Sequence, residues 1–119
     1  MVESEILTAL TSVSPTIAGG RVYAMVLPDG TDYPAVTYQR ISAETHNSLS
    51  GWSGRDHVRM QIDCWAQGYD EAKRLAAEVR LAMEGAGFKG LMVNDSDDFE
   101  PDLELFRVSA DYMVWQKRT

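Results

Sequence analysis

The stretch "HVRMQIDCWAQGYDEAKRLAAEVRLAMEG" changes its apolar period partway along, and that change constrains the fold more than any other feature of the chain. Val58, Met60, Ile62, Cys64 and Ala66 alternate with His57, Arg59, Gln61, Asp63, Trp65 and Gln67. An alternation of this kind suits an extended strand with one face in a core and the other polar. After Gly68, Ala72, Leu75, Ala76, Val79 and Met83 recur at the i, i+3, i+4, i+7 spacing of one helix stripe. Asp70 is placed to cap that helix and Gly85 to close it. A strand with one apolar face and a helix with one apolar stripe bury those surfaces against each other.

The rest of the chain extends the same pattern. "VESEILTALTSV" sets Val2, Ile6, Ala9, Leu10 and Val13 at near-helical spacing, and Pro15 stops continuation, so residues 2–13 are predicted to be a short amphipathic helix. Residues 21–27 are rich in strand formers and lie between Gly19-Gly20 and Pro28-Asp29-Gly30. From Pro34, "PAVTYQRISAE" reads as a second strand with Val36 and Tyr38 on one face and Thr37 and Gln39 on the other. A strand is expected near residues 90–94, then an acidic turn "NDSDDFEPD", then a long final strand over about residues 103–117. In that last strand Phe106, Val108, Ala110, Tyr112 and Val114 share a face. The expected order is α-β-β-β-α-β-β in one domain spanning residues 1–119, and the short links favour antiparallel pairing. The predicted class is α/β (α+β): a two-layer sandwich with a mainly antiparallel sheet and both helices on one face.

Composition excludes several functions. With 45% hydrophobic and 24% charged residues the chain is globular rather than disordered. Its 18 acidic residues outnumber 11 basic ones for a net charge of -7, which disfavours unaided binding to a nucleic-acid backbone and points to protein partners. Cys64 is the sole cysteine, so no intrachain disulfide or thiolate metal cluster is expected, and a reducing compartment fits. Without a signal-like start or an apolar run of about 18 residues, the chain reads as soluble and untargeted, with no membrane partner.

Candidate chemistry concentrates in "SLSGWSGRDH", residues 48–57. Ser53 between glycines invites comparison with a nucleophile elbow, but Gly51-Trp52-Ser53-Gly54 has its second glycine one place early and runs into a strand rather than a helix. Asp56 and His57 are adjacent, so on a strand they point to opposite faces, and no catalytic triad is assigned. His46 and His57 lack metal-ligand spacing. Asp95, Asp97, Asp98 and Glu100 resemble a calcium loop in charge, yet the sixth position from Asp95 is Glu100 where an EF-hand needs glycine. These carboxylates are read as a solvated hairpin turn on an exposed or lumen-facing surface. No catalytic, cofactor-binding or metal residue is assigned, and no cofactor is expected.

Two features point to contacts with other proteins. If both helices cover one sheet face, Trp65, Met113 and Trp115 stand together among charges on the other, which suggests a contact surface. Trp52 lies in the predicted Gly-Ser loop, where Ser50, Gly51, Ser53 and Gly54 give the backbone freedom to dock; it is an anchor for another protein or packs back on its own domain.

"RVYAMVLPDG", "YPAVTYQRIS", the Gly-Ser loop, "VRMQIDCWA" and "YDEAKRLAAEVRLAM" together resemble the tail-completion proteins of long-tailed bacteriophages and prophages, the tail-terminator or head-to-tail joining family. The likeness covers nearly the whole chain and is most specific at Gln61, Ile62, Asp63, Trp65, Tyr69, Glu71 and Ala72. The resemblance implies a non-catalytic ring, six-fold by family expectation, that caps the tail tube and joins it to the head connector. Its partners would be itself, the tail tube protein and the head completion or connector protein, with DNA passing through without specific binding. It would be found in the host cytoplasm during assembly and then in the virion. A small acidic cytoplasmic adaptor domain without catalysis is the alternative reading.

Overall fold

A computed structural model describes residues 2–11, 17–48, 51–85 and 90–117. The elements follow in the order α1 (Val2–Thr11), a 3-10 turn (Ile17–Gly20), β1 (Val22–Ala24), β2 (Ala35–Ser48), β3 (Gly51–Ala66), α2 (Tyr69–Gly85), β4 (Leu91–Glu100) and β5 (Leu105–Lys117). The five strands form one sheet in the order β1-β2-β3-β5-β4. Every neighbouring pair is antiparallel except β1 with β2, which run parallel.

The alternation that opens the sequence argument is the centre of this sheet. Val58, Met60, Ile62, Cys64 and Ala66 of β3 are buried in one cluster with Val108, Ala110, Tyr112 and Val114 of β5 and Val36 and Tyr38 of β2. Ile6 and Leu10 of α1 and Ala72, Leu75, Val79 and Met83 of α2 belong to the same cluster, so both helices cover one face. Each fully buried aliphatic side chain contributes about 1.5–3 kcal/mol relative to exposure, and this face is therefore what fixes the strand register. Gly90 lets the chain return from α2 to β4 at close quarters: its N–H donates to the Met83 carbonyl at 3.0 Å, and a β-carbon there would stand 3.1 Å from that same oxygen.

α1 is helical to Thr11, and Val13 and the other residues of 12–16 lie outside the described residues. The structure departs from the sequence reading at three places. β1 is three residues long where residues 21–27 were expected, because the chain turns sharply at Met25. There the Val26 N–H donates to the Ala24 carbonyl at 2.7 Å and Met25 takes φ 66°, the geometry of a rare and strained γ-turn.

The "Gly-Ser loop" is a strand. β2 and β3 continue as a ladder out to Asn47 opposite Trp52 and Ser48 opposite Gly51, so Gly51, Trp52, Ser53 and Gly54 belong to β3. Ser50 lies outside the described residues. Turn-forming residue types yield here to pairing with a neighbouring strand, which supplies backbone hydrogen bonds whatever the side chains prefer.

The acidic turn is likewise a strand: β4 continues through Asp95, Asp97, Asp98 and Glu100, and the turn falls at Pro101–Glu104.

These longer strands set the molecule's proportions. Sixteen residues of β3 span about 53 Å at strand rise, whereas the seventeen of α2 reach about 25 Å. The molecule's long dimension is 52 Å, and its radius of gyration of 15.0 Å exceeds the roughly 13.5 Å expected for a compact chain of this length. Among the described residues β5 accompanies β3 as far as Arg55, and beyond it β2 and β3 run on as a two-stranded arm.

Candidate assembly surface

Sheet parity assigns the face away from the helices. Arg59, Gln61, Asp63 and Trp65 of β3 lie opposite Met113, Asp111, Ser109 and Arg107 of β5. β2 adds Ala35, Thr37 and Gln39 on one side, and β4 adds Leu91, Asn94, Ser96, Asp98 and Glu100 on the other. A bulge between Met92 and Asn94 keeps this parity along β4.

Most polar groups on this face are paired within the chain. The Trp65 indole N–H donates to the Thr37 hydroxyl at 3.0 Å, and the Arg107 guanidinium stands 5.5 Å from the Trp65 ring centroid. Arg107 Nη2 also donates to Asp98 at 2.9 Å and lies 3.3 Å from Glu100. Arg59 donates to Asp111 Oδ2 at 3.2 and 2.8 Å. Asp63 is only 8% exposed, and the Gln61 side-chain amide donates to both of its oxygens at 3.0 and 3.1 Å. A carboxylate buried to that degree is tolerable only with such hydrogen bonds. Arg107 Nε is buried and has no acceptor among the described residues.

The sequence-predicted residues divide accordingly. Trp65 is half-buried, with its polar atom satisfied in its own chain. Met113 is also half-buried, and its neighbour across β5 is Leu91, 63% exposed, so these two carry the apolar part of the face near β4. Trp115 occupies the register position opposite His57. The side chains of Trp52, Trp115, Ser53, His46 and His57 lie outside the described residues.

The four carboxylates once grouped as a turn are sorted by strand alternation onto opposite faces. Asp98 and Glu100 share the outer face with Arg107, whereas Asp95 and Asp97 take the parity of Ala110 and Val108, the helix side. Asp97 accepts a hydrogen bond from the Tyr69 hydroxyl and lies 3.3 Å from Lys73 Nζ. The Tyr69 hydrogen bond, with help from Lys73, holds the Asp97 carboxyl below the usual carboxylate range. The same contacts raise Tyr69 and Lys73 above their ordinary values. Phe99 and Phe106 extend this patch, with ring centroids 4.9 Å apart, and Tyr69 stands 5.7 Å from Phe106. β4 is thus fastened to α2 on one face and to Arg107 on the other. Sequence reading missed these fastenings because their members come from different elements; the only signal was the acid-on-both-faces alternation of "NDSDDFE".

Three further observations complete the surface. Met25 and Val26, at the γ-turn, are 69% and 71% exposed. Cys64 is buried, and burial pushes its thiol far above the ordinary range. No helix among the described residues is long and apolar enough to cross a membrane.

Among the described residues both helices cover one face of the sheet, and the other face, the β4 edge and the far end of β2 and β3 are what the domain presents outward. The chain belongs to the tail completion protein gp17 family, whose model matches residues 4–117, and it is therefore a structural virion protein of the phage-tail-completion kind. A chain of the virion of the native gene transfer agent (GTA) particle has the same fold, with a TM-score of 0.78 over 98% of this chain and 94% of that one at 14% sequence identity. No curated protein sequence matches it.

Proposed function

We propose that this chain closes the end of an assembled phage tail tube as a ring and forms the joint to the head connector. The family match over residues 4–117 carries the reading, and the virion chain that shares the fold supports it. Copies assemble in the host cytoplasm into a six-fold ring that meets the tail tube protein on one side and the head completion protein on the other. DNA passes through the ring without specific binding, which suits a net charge of -7, because an acidic lumen does not hold a polyanion. The chain acts without catalysis.

Contacts with neighbours use the outer sheet face around Met113, Leu91 and the Trp115 position, and the two-stranded arm, where Trp52 serves as an anchor. Apolar area on that face is worth about 25 cal/mol per Å² once a partner covers it. Deleting the gene from the phage or prophage and examining particles by electron microscopy tests the function: full heads and separate tails of irregular length are expected. Normal joined particles would overturn it.

A further inference from the structure

We propose that neighbouring copies join edge to edge, the free edge of β4 in one copy pairing antiparallel with the uncovered stretch of β2 in the next, so that one sheet continues from copy to copy. The inference rests on the ring reading above and adds the joint between its copies.

The two free edges are present in every copy. β4 ends the sheet on one side, and nearly its whole length is exposed. No other segment among the described residues bonds to its outer backbone groups apart from the turn at Leu103. On the opposite side β1 covers only Val36–Tyr38 of β2, and the Met25 N–H donating to the Tyr38 carbonyl at 2.9 Å is the last bond of that pairing. From Gln39 to Ser48, β2 has β3 on one side and, among the described residues, no strand on the other. The uncovered segment and β4 are each ten residues long.

Strand polarity follows from the topology. From β2 to β4 the sheet takes three antiparallel steps, through β3 and β5, so β4 runs opposite to β2. Copies related by a ring axis roughly along the strands keep this orientation, and β4 of one copy therefore meets β2 of the next antiparallel. The contact is head-to-tail, which generates rings when the rotation closes.

Charge selects this pairing over its rivals. Two β4 edges side by side would bring Asp95, Asp97, Asp98 and Glu100 of both copies together, and like charges directly opposite are destabilising. In the antiparallel arrangement, full overlap sets Glu100 beside Gln39, and the acidic half of β4 lies along the start of the uncovered segment. Arg40 is there, exposed and without a carboxylate partner among the described residues. A parallel arrangement would put Leu91 there instead. β1 and its γ-turn stop the incoming strand at Tyr38 and so set its register.

Disulfide trapping tests the joint in the full-length chain. Single-cysteine variants Gln39→Cys, Ser42→Cys and Glu44→Cys, which share the outer face across the bulge in β2, are each mixed with Ser96→Cys, Asp98→Cys or Glu100→Cys, assembled, and oxidised. Cys64 stays in place because it is buried, and the Cys64-only parent chain, oxidised alongside, is the blank. Within one copy β2 and β4 are separated by three strand spacings, about 14 Å, beyond the roughly 7 Å limit for a disulfide, so each link joins two copies. Ile41 is the extra residue of a bulge in β2, so the expected dimers run along the antiparallel diagonal from Gln39 with Glu100 through Ser42 with Asp98 to Glu44 with Ser96, at tenfold or more over off-diagonal pairs. Rings that form, by native mass measurement, without links or with links on the parallel diagonal overturn the edge joint and leave the ring reading standing. Chains that form no ring in solution or in purified particles overturn both.

Discussion

The helix-backed part of the sheet and the arm beyond it are made of the same two strands, yet different forces hold them. From Val58 to Ala66, β3 has a buried residue at every second position and two helices above it. From Gly51 to Gly54 it has, among the described residues, only β2 alongside. In the first region burial dictates register, since a one-residue slip would turn the whole apolar set to solvent. In the second, backbone pairing with β2 is what the described residues show. The body is thus specified by its own core, and the arm is where the proposal above places a contact with a neighbour.

Substitution in the body offers the largest effect with which to break this comparison. Ile62→Ala removes a fully buried side chain at the sheet centre and should cost about 2–5 kcal/mol in urea unfolding, whereas Trp52→Ala in the arm should change the free chain by less than about 0.5 kcal/mol. Comparable losses from both would mean that the arm is part of the folding unit. Next in size is Gly90→Ala, whose new methyl group meets the Met83 backbone and side chain at 3.1–3.3 Å; a loss of about 1–3 kcal/mol is expected from the same measurement.

A third variant sharpens the comparison at the sheet edge. Arg107→Met removes the cation that holds Asp98 and Glu100 and overlies Trp65. Hydrogen exchange should speed up in β4 but not in β3, with a change in tryptophan fluorescence and a global loss near 1 kcal/mol. Unchanged β4 protection would count against Arg107 as its fastening.

The smallest effect is that of pH on the contact between β4 and α2. Asp97 titrates below the usual carboxylate range in the folded chain, so its contribution is complete above the unfolded value and is lost as pH falls through the folded one. Amide exchange in β4, corrected for its intrinsic pH dependence, should rise only at pH well below 4, and Asp97→Asn should abolish that rise.

The contrast between regions also explains how much of the molecule was legible in the sequence. Where a face is buried, residue type records it: the alternation of β3, the stripe of α2 and the apolar set of β5 each predicted their element and face. The end of β3 and the length of β4 were not legible. Asn47, Ser48, Gly51 and Gly54 have turn-forming chemistry, as do Asp95, Ser96 and Asp98, and local propensity pointed to turns. Pairing overrode it in both places, and in β4 the ion pairs come from Lys73 and Arg107. The candidate surface was legible only as a set of positions. Trp65, Met113 and Trp115 share a face as alternation predicts, but Trp65 pairs with Arg107, six rungs along the β3–β5 ladder from Met113, and that it is tied to Thr37 and Arg107 depends on side-chain geometry that alternation does not encode.

The order of strands in the sheet has a consequence for how the chain is made. β4 leaves the ribosome before β5 but has no partner in the finished sheet except β5, and β3 likewise waits across α2 and β4 for its second neighbour. During synthesis at about 5–20 residues per second, a nascent strand therefore spends around a second with both edges open. An apolar strand in that position would recruit other nascent chains; one carrying Asp95, Asp97, Asp98 and Glu100 repels its own kind until β5 arrives and closes the sheet.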